Sequence, residues 1–199
     1  MRERPLMTLN ELVAAAAPAF YPFRDRPFVF FGHSMGAMIA FELTRRLREA
    51  GRGMPARLLL SGCRAPQLAH ARAITYDLPD PEFLAEIRRL KGTPAEVLDN
   101  PELLQFVLPL LRADFAVTQT YEYTEGPPLT CPFTVFGGVE DGEVGREMLV
   151  AWREHTAASF SLHMLPGGHF FLHSSQDLLL KVISEELERS PLVSHERDT

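Results

Sequence analysis

The chain has 199 residues, 46% hydrophobic and 23% charged, which is enough for one buried core in a single domain and excludes a disordered or fibrous class. A net charge of -6 argues against general nucleic-acid binding, and no apolar run approaches the length of a membrane span. Its two cysteines, Cys63 and Cys131, lack Cys-x-x-Cys spacing and are expected to be reduced and packed; the start of the chain, Arg2-Glu3-Arg4, leads into no signal-peptide pattern, so the expected compartment is the cytoplasm.

Thr8-Leu9-Asn10-Glu11 fits a capping box, opening a helix that Pro18 and Pro22 bring towards an end. Phe28-Val29-Phe30-Phe31 is apolar without alternation, the pattern of a central parallel strand covered on both faces. Gly32-His33-Ser34-Met35-Gly36 follows at once and leads into a helical pattern with Ile39, Leu43 and Leu47 four residues apart. Gly51 and Gly53 stop that helix, and Arg57 to Gly62 reads as the next strand. Alternating helix and strand predicts an α/β fold with a mostly parallel sheet.

From about Ala65 to Leu129 strand signals vanish. Asp80-Pro81 is read as an N-cap with a first-turn proline, Thr93-Pro94-Ala95-Glu96 as a second capping box, and Asn100-Pro101 as the start of a segment that Pro109 should kink. Such a helical insertion is either a lid over the carboxyl ends of the strands or a subdomain that only adds core. Strand signals return at Pro132 to Phe136, ended by Gly137-Gly138, and at Phe160 to Leu165, ended by Pro166-Gly167-Gly168-His169. Between them a helix carries Met148, Leu149 and Trp152. A final helix carries Leu178 to Leu187, and residues 190–199 form a polar tail after a single domain spanning 1–189.

Gly-x-Ser-x-Gly between a strand and a helix is a nucleophile elbow, in which a strained turn pushes a serine hydroxyl out and small neighbours allow close packing. A serine hydroxyl needs a base in reach and an acid to orient that base. Asp141 lies just past one strand end and His169 just past another, in the order serine, acid, histidine. Glu140 and Glu143 compete with Asp141, since spacing does not separate neighbours in one loop. Among the other histidines, His33 sits beside the serine, His173 lies in a helix start, and His70, His155, His163 and His195 lack the position after a strand. The backbone N–H of Met35 is the candidate oxyanion donor. Gly32 is the first glycine, so the Gly-rich loop that would supply a second donor, and the strands before it, are expected to be missing from the front of the chain.

These features, together with Lys91-Gly92-Thr93-Pro94, Leu111-Arg112-Ala113-Asp114-Phe115, Ala151-Trp152-Arg153 and Pro166-Gly167-Gly168-His169-Phe170-Phe171, make the chain resemble a type II thioesterase, the free-standing editing enzyme of nonribosomal peptide and polyketide synthases. The resemblance implies an α/β-hydrolase fold with the 65–129 region as lid, and Ser34 as nucleophile, Asp141 as acid and His169 as base. It implies no cofactor or metal, and a substrate acyl group on the phosphopantetheine arm of a carrier protein. No nucleic-acid or membrane partner is expected, and the expected state is a monomer. Arg64, Arg72, Arg88, Arg89 and Lys91 are candidate docking residues for an acidic carrier, against simple solvation. A small-ester or lipid hydrolase, and an impaired fragment acting only in binding, remain alternatives.

Overall fold

The computed structural model describes residues 4–21, 26–68, 73–90 and 92–189. Pro22, His70, Arg72, Lys91 and the 190–199 tail therefore lie outside the described residues. Two compact units divide the chain: Met1–Leu12 with Ala69–Glu122, and Val13–Leu68 with Tyr123–Thr199.

The larger unit is built on four parallel strands in the order β1 (Val29–His33), β2 (Arg57–Ser61), β3 (Phe133–Gly138) and β4 (Phe160–Leu165). Helix α2 (Met35–Glu49) links β1 to β2. The short helix α6 (Arg146–Val150) and a 3₁₀ turn (Ala151–His155) link β3 to β4, and α7 (Phe171–Ser174) and α8 (Gln176–Glu188) close the fold. Every residue of β2 and β3 is buried, as unbroken apolar strands under helices on both faces should be.

The apolar pattern of Phe28 to Phe31 reads as a central strand, while the expected absence of the strands before it reads as an uncovered sheet edge, and among the described residues the second holds. Among the described residues β1 pairs only with β2, and Phe31 is 43% exposed. An apolar run reports what a strand is able to bury, while the number of flanking strands depends on residues elsewhere.

Alternation across the sheet separates two cores. On one face Leu59, Phe136 and Leu165 pack with Phe171 of α7 and Leu179 of α8. On the other, Phe41 of α2 meets Phe133 and Trp152 edge to face at ring-centroid distances of 6.4 and 5.1 Å, and the Trp152 indole donates to the Cys63 carbonyl. Cys63 and Cys131 are free and buried, as expected; burial pushes their thiols up to about 12 and about 11, where the nucleophilic thiolate is scarce. Beneath the α8 face Arg57 donates to Glu186 (2.9 Å) and to the Thr134 hydroxyl (2.8 Å), a buried charge pair whose polar atoms are drawn into one network.

The smaller unit contains α3 (Asp80–Leu90), α4 (Ala95–Leu98) and α5 (Pro101–Gln119), matching the loss of strand signal. Phe83, Ile87 and Leu98 form its buried centre, with Leu104, Leu108, Leu111 and Phe115 packed around them. The Arg112 guanidinium ties α5 to α3 and the segment before it, donating to Tyr76 O and Asp80 Oδ1 (both 2.6 Å) and lying 4.5 Å over the Phe83 ring. Asn100 caps α5 by accepting from Glu102 and Leu103, and α5 runs on through Pro109.

Two cap readings shift. Asp80 is the first residue of α3, with the Pro79 carbonyl accepting its first bonds, and α4 has Pro94 at its cap with no side-chain cap from Thr93. The capping box at Thr8 and Glu11 is present: Glu11 N–H donates to Thr8 Oγ1, and Glu11 Oε2 accepts from the N–H groups of Met7 and Thr8. It opens α1 (Leu9–Phe20), whose residues fall in both units.

Candidate active site

The end of β1 turns into α2 through Ser34, which is the one non-glycine residue with positive φ among the described residues (φ 53°, ψ -119°). Such a conformation costs roughly 1–3 kcal/mol and persists only where surrounding contacts hold it. Here Ser34 N–H donates to Ser61 O at 2.7 Å, and Ser34 O accepts from Ala37 N–H at 3.0 Å. Gly32 is required sterically, because a Cβ there would lie 2.1 Å from the Gly36 carbonyl oxygen. Gly36 is not required in that sense: a Cβ on it would meet nothing within 4 Å. The expectation that both glycines serve close packing holds for the first alone. Met35 opens α2, so its N–H has no acceptor within its own helix and points from the positive end of the helix dipole.

Parallel strands bring their carboxyl ends to one edge of the sheet, and the loops after β3 and β4 carry Asp141 and His169 there. His169 Nδ1 lies 2.8 Å from Asp141 Oδ2, and His169 Nε2 lies 3.2 Å from Ser34 Oγ. Asp141 Oδ1 accepts from the N–H groups of Glu143 (2.8 Å) and Val144 (3.1 Å). Burial pushes the Asp141 carboxyl up, but the hydrogen bond from His169, those backbone N–H groups and the electrostatic attraction of the nearby His169 ring outweigh it and hold it below its ordinary value. An ionised carboxylate only accepts, so the histidine proton sits on Nδ1 and the bare Nε2 faces the serine hydroxyl.

The structure therefore brings Ser34, Asp141 and His169 into one hydrogen-bonded series, with Met35 N–H beside it at the start of α2. The rivals are placed elsewhere. Glu140 is exposed and donates its N–H to Gly167 O, and Glu143 meets Asp141 through its backbone. His155 bonds Gln67, and His163 bonds Glu186. His173 stacks on Phe170, and His33 bonds Ser61. His195 lies outside the described residues. Of the candidate docking cations, Arg88 pairs with Asp99, Arg89 with Glu86, and Arg64 donates to Leu68 O, so each is engaged locally.

Two features were not read from the sequence. The glycine doublets at 137–138 and 167–168 do more than end strands: a Cβ on Gly138 would lie 2.3 Å from Gly168 O and 2.4 Å from Gly167 O, so the loops carrying Asp141 and His169 touch through bare backbone. The signal was present in the doublets, one before each of the two residues. The contact between His33 and Ser61 had no local signal, since it joins residues 28 apart.

Fold and site together define an α/β-hydrolase with serine, histidine and aspartate in hydrogen-bond series at the carboxyl edge of a parallel sheet. The chain belongs to the thioesterase family, whose domain model matches residues 1–187. It is 45% identical over 183 residues to a protein of Brevibacillus parabrevis named linear gramicidin dehydrogenase LgrE, covering 90% of this chain and 70% of that one. Among solved structures it resembles the thioesterase RedJ of the prodiginine pathway of Streptomyces coelicolor (TM-score 0.84, 40% identity, 93% of this chain and 74% of that one). It also resembles the type II thioesterase BorB of the borrelidin cluster (TM-score 0.83, 38% identity, 93% and 75%). Its chemistry is thus that of a type II thioesterase, hydrolysis of a thioester bond.

Proposed function

We propose that this chain is an editing enzyme of peptide or polyketide assembly lines, freeing stalled or misprimed acyl or aminoacyl groups from the phosphopantetheine arm of carrier proteins. The observation that carries the chemistry is the unbroken series Asp141–His169–Ser34, with bonds of 2.8 and 3.2 Å, on a strained elbow. Support for the substrate comes from the names of the relatives, which refer to linear gramicidin, the prodiginine biosynthetic pathway and the borrelidin biosynthetic cluster.

In this reading Ser34 Oγ attacks the thioester carbonyl carbon while His169 Nε2 takes its proton. The tetrahedral oxyanion is met by Met35 N–H. The C–S bond breaks, and the proton passes from His169 to the departing thiolate, releasing the free pantetheine thiol and leaving an acyl-Ser34 ester. Water then attacks that ester, gives its proton to His169, and the acid leaves as Ser34 regains its hydrogen. Asp141 keeps the imidazole in the required tautomer and stabilises its cation. The protein works as a monomer in the cytoplasm.

Among the described residues no helix is long and apolar enough to cross a membrane. The test compares an acyl-carrier protein with a simple ester of the same acyl group, because docking energy counts for the carrier alone. A higher kcat/KM on the carrier substrate, abolished by Ser34→Ala, is expected. Equal kcat/KM on both substrates would overturn the carrier assignment, and equal rates for wild type and Ser34→Ala would overturn the mechanism.

A further inference from the structure

Ser34 does not hold its own conformation: besides the turn bond from Ala37 N–H, its backbone is tied to one residue of the neighbouring strand. His33 and Ser61 are register partners across β1 and β2. Ser61 uses both of its oxygens on this stretch: its carbonyl accepts Ser34 N–H at 2.7 Å, and its hydroxyl lies 2.9 Å from His33 Nδ1. The backbone bond sits on the strained residue itself, and the side-chain bond ties down the residue just before it.

Close neighbours surround the imidazole. Gly62, with φ 57°, runs so close to the ring that a Cβ there would lie 2.6 Å from His33 Cε1. On its other sides the ring meets His169 at a centroid distance of 5.2 Å and the edge of Phe171 at 5.8 Å. His33 Nε2 is buried and has no hydrogen-bond partner among the described residues. A buried polar atom left unpaired is destabilising by roughly 1–3 kcal/mol, so an apolar residue would serve packing alone better. The retained polar atom is the other one, Nδ1, and the one bond it makes is to the strand that restrains the elbow.

We propose that His33 and Ser61 form a positioning bracket for the nucleophile: Ser61 fixes the elbow through its carbonyl, and His33, bonded to the Ser61 hydroxyl, keeps β1 in the register that aims Ser34 Oγ at His169. His33 remains a neutral imidazole in this role. A cation in its place would stand 5.2 Å from the ring of His169 and oppose the imidazolium that His169 must become. This inference rests on the reading of Ser34 as nucleophile.

The test is the second-order rate of labelling by a serine-directed fluorophosphonate, with kcat and KM on an acyl-thioester and the thermal midpoint, for Ser61→Ala, His33→Ala and His33→Asn. Asn retains a polar atom near the place of Nδ1. A misaimed nucleophile is expected to lower labelling and kcat roughly tenfold or more while KM stays within about twofold. His33→Asn should recover most of that loss. The double variant Ser61→Ala with His33→Ala should be no slower than the slower single, because the two side chains act through one bond. Labelling at the wild-type rate in folded Ser61→Ala and His33→Ala would overturn the bracket, as would equal losses in His33→Ala and His33→Asn. If Ser61→Ala does not fold, the comparison of the two His33 variants decides. Failure of the wild type itself to label would instead overturn Ser34 as nucleophile.

Discussion

Replacing Gly138 by alanine perturbs the site without touching a reacting group. The added methyl would sit 2.3 Å from Gly168 O and 2.4 Å from Gly167 O, whereas a Cβ and a carbonyl oxygen do not approach within about 3 Å. Both obstacles are backbone, so no side-chain rotation relieves them, and the loop after β4 has to retreat from the end of β3 by about 0.7 Å or more. That retreat breaks into the bond from Glu140 N–H to Gly167 O, now 3.0 Å, and moves His169 relative to Asp141 and Ser34, whose links are 2.8 and 3.2 Å. A misplacement near 1 Å between reacting groups costs on the order of 10²-fold in rate. Gly138→Ala should therefore lose about two orders of magnitude in kcat on an acyl-thioester. Circular dichroism and a thermal melt on the same sample separate this from unfolding. Activity within about twofold of wild type in the folded variant would refute the claim that the two loops are aligned through bare backbone.

Asp141→Asn, with the carboxylate that fixes the His169 tautomer removed, should lower kcat by about 10⁴ while leaving the fold intact by circular dichroism. The same substitution carries a pH signature. The Asp141 carboxyl is held below its ordinary value, so its contribution to stability is present above the unfolded value of about 3.9 and is lost as pH falls through the lower folded value. Urea midpoints of wild type and Asp141→Asn should thus diverge towards neutrality and converge in strong acid. Glu186→Ala removes a carboxylate paired with the buried Arg57 guanidinium and should destabilise the fold by about 3–5 kcal/mol in urea titration, with the loss of kcat no greater than the folded fraction explains. Arg112→Lys keeps the charge but loses the fork that spans Tyr76 O and Asp80 Oδ1, so limited proteolysis should open the 73–90 stretch faster than in wild type.

Much of the site was legible because parallel strands convert chain position into place. A residue just past a strand end arrives at one edge of the sheet whatever its neighbours are, which is why Ser34, Asp141 and His169 were singled out together. The choice of Asp141 over Glu140 was not legible from spacing. It depends on which way a short loop turns, and here Glu140 points to solvent while Asp141 is capped by Glu143 and Val144 N–H groups. The pairing of β1 among the described residues was not legible from its own apolar run, since apolarity gives burial and pairing is decided by distant chain. Helix existence in the smaller unit followed from periodicity and turn residues. Its caps shifted by a residue because prolines at 79 and 94 set the backbone entering α3 and α4. The bracket of His33 on Ser61 spans 28 residues and has no local signature at all.

The central claim is that Ser34 takes the acyl group from a carrier-bound thioester. Intact-protein mass spectrometry after rapid mixing with an acyl-carrier protein, with fragmentation to locate the adduct, tests it directly. An added acyl mass on Ser34 that appears and decays as the free acid accumulates, sensitive to hydroxylamine and missing in Ser34→Ala, is the predicted result. Turnover of the carrier substrate by Ser34→Ala at the wild-type rate, or an adduct on another residue, would contradict the account.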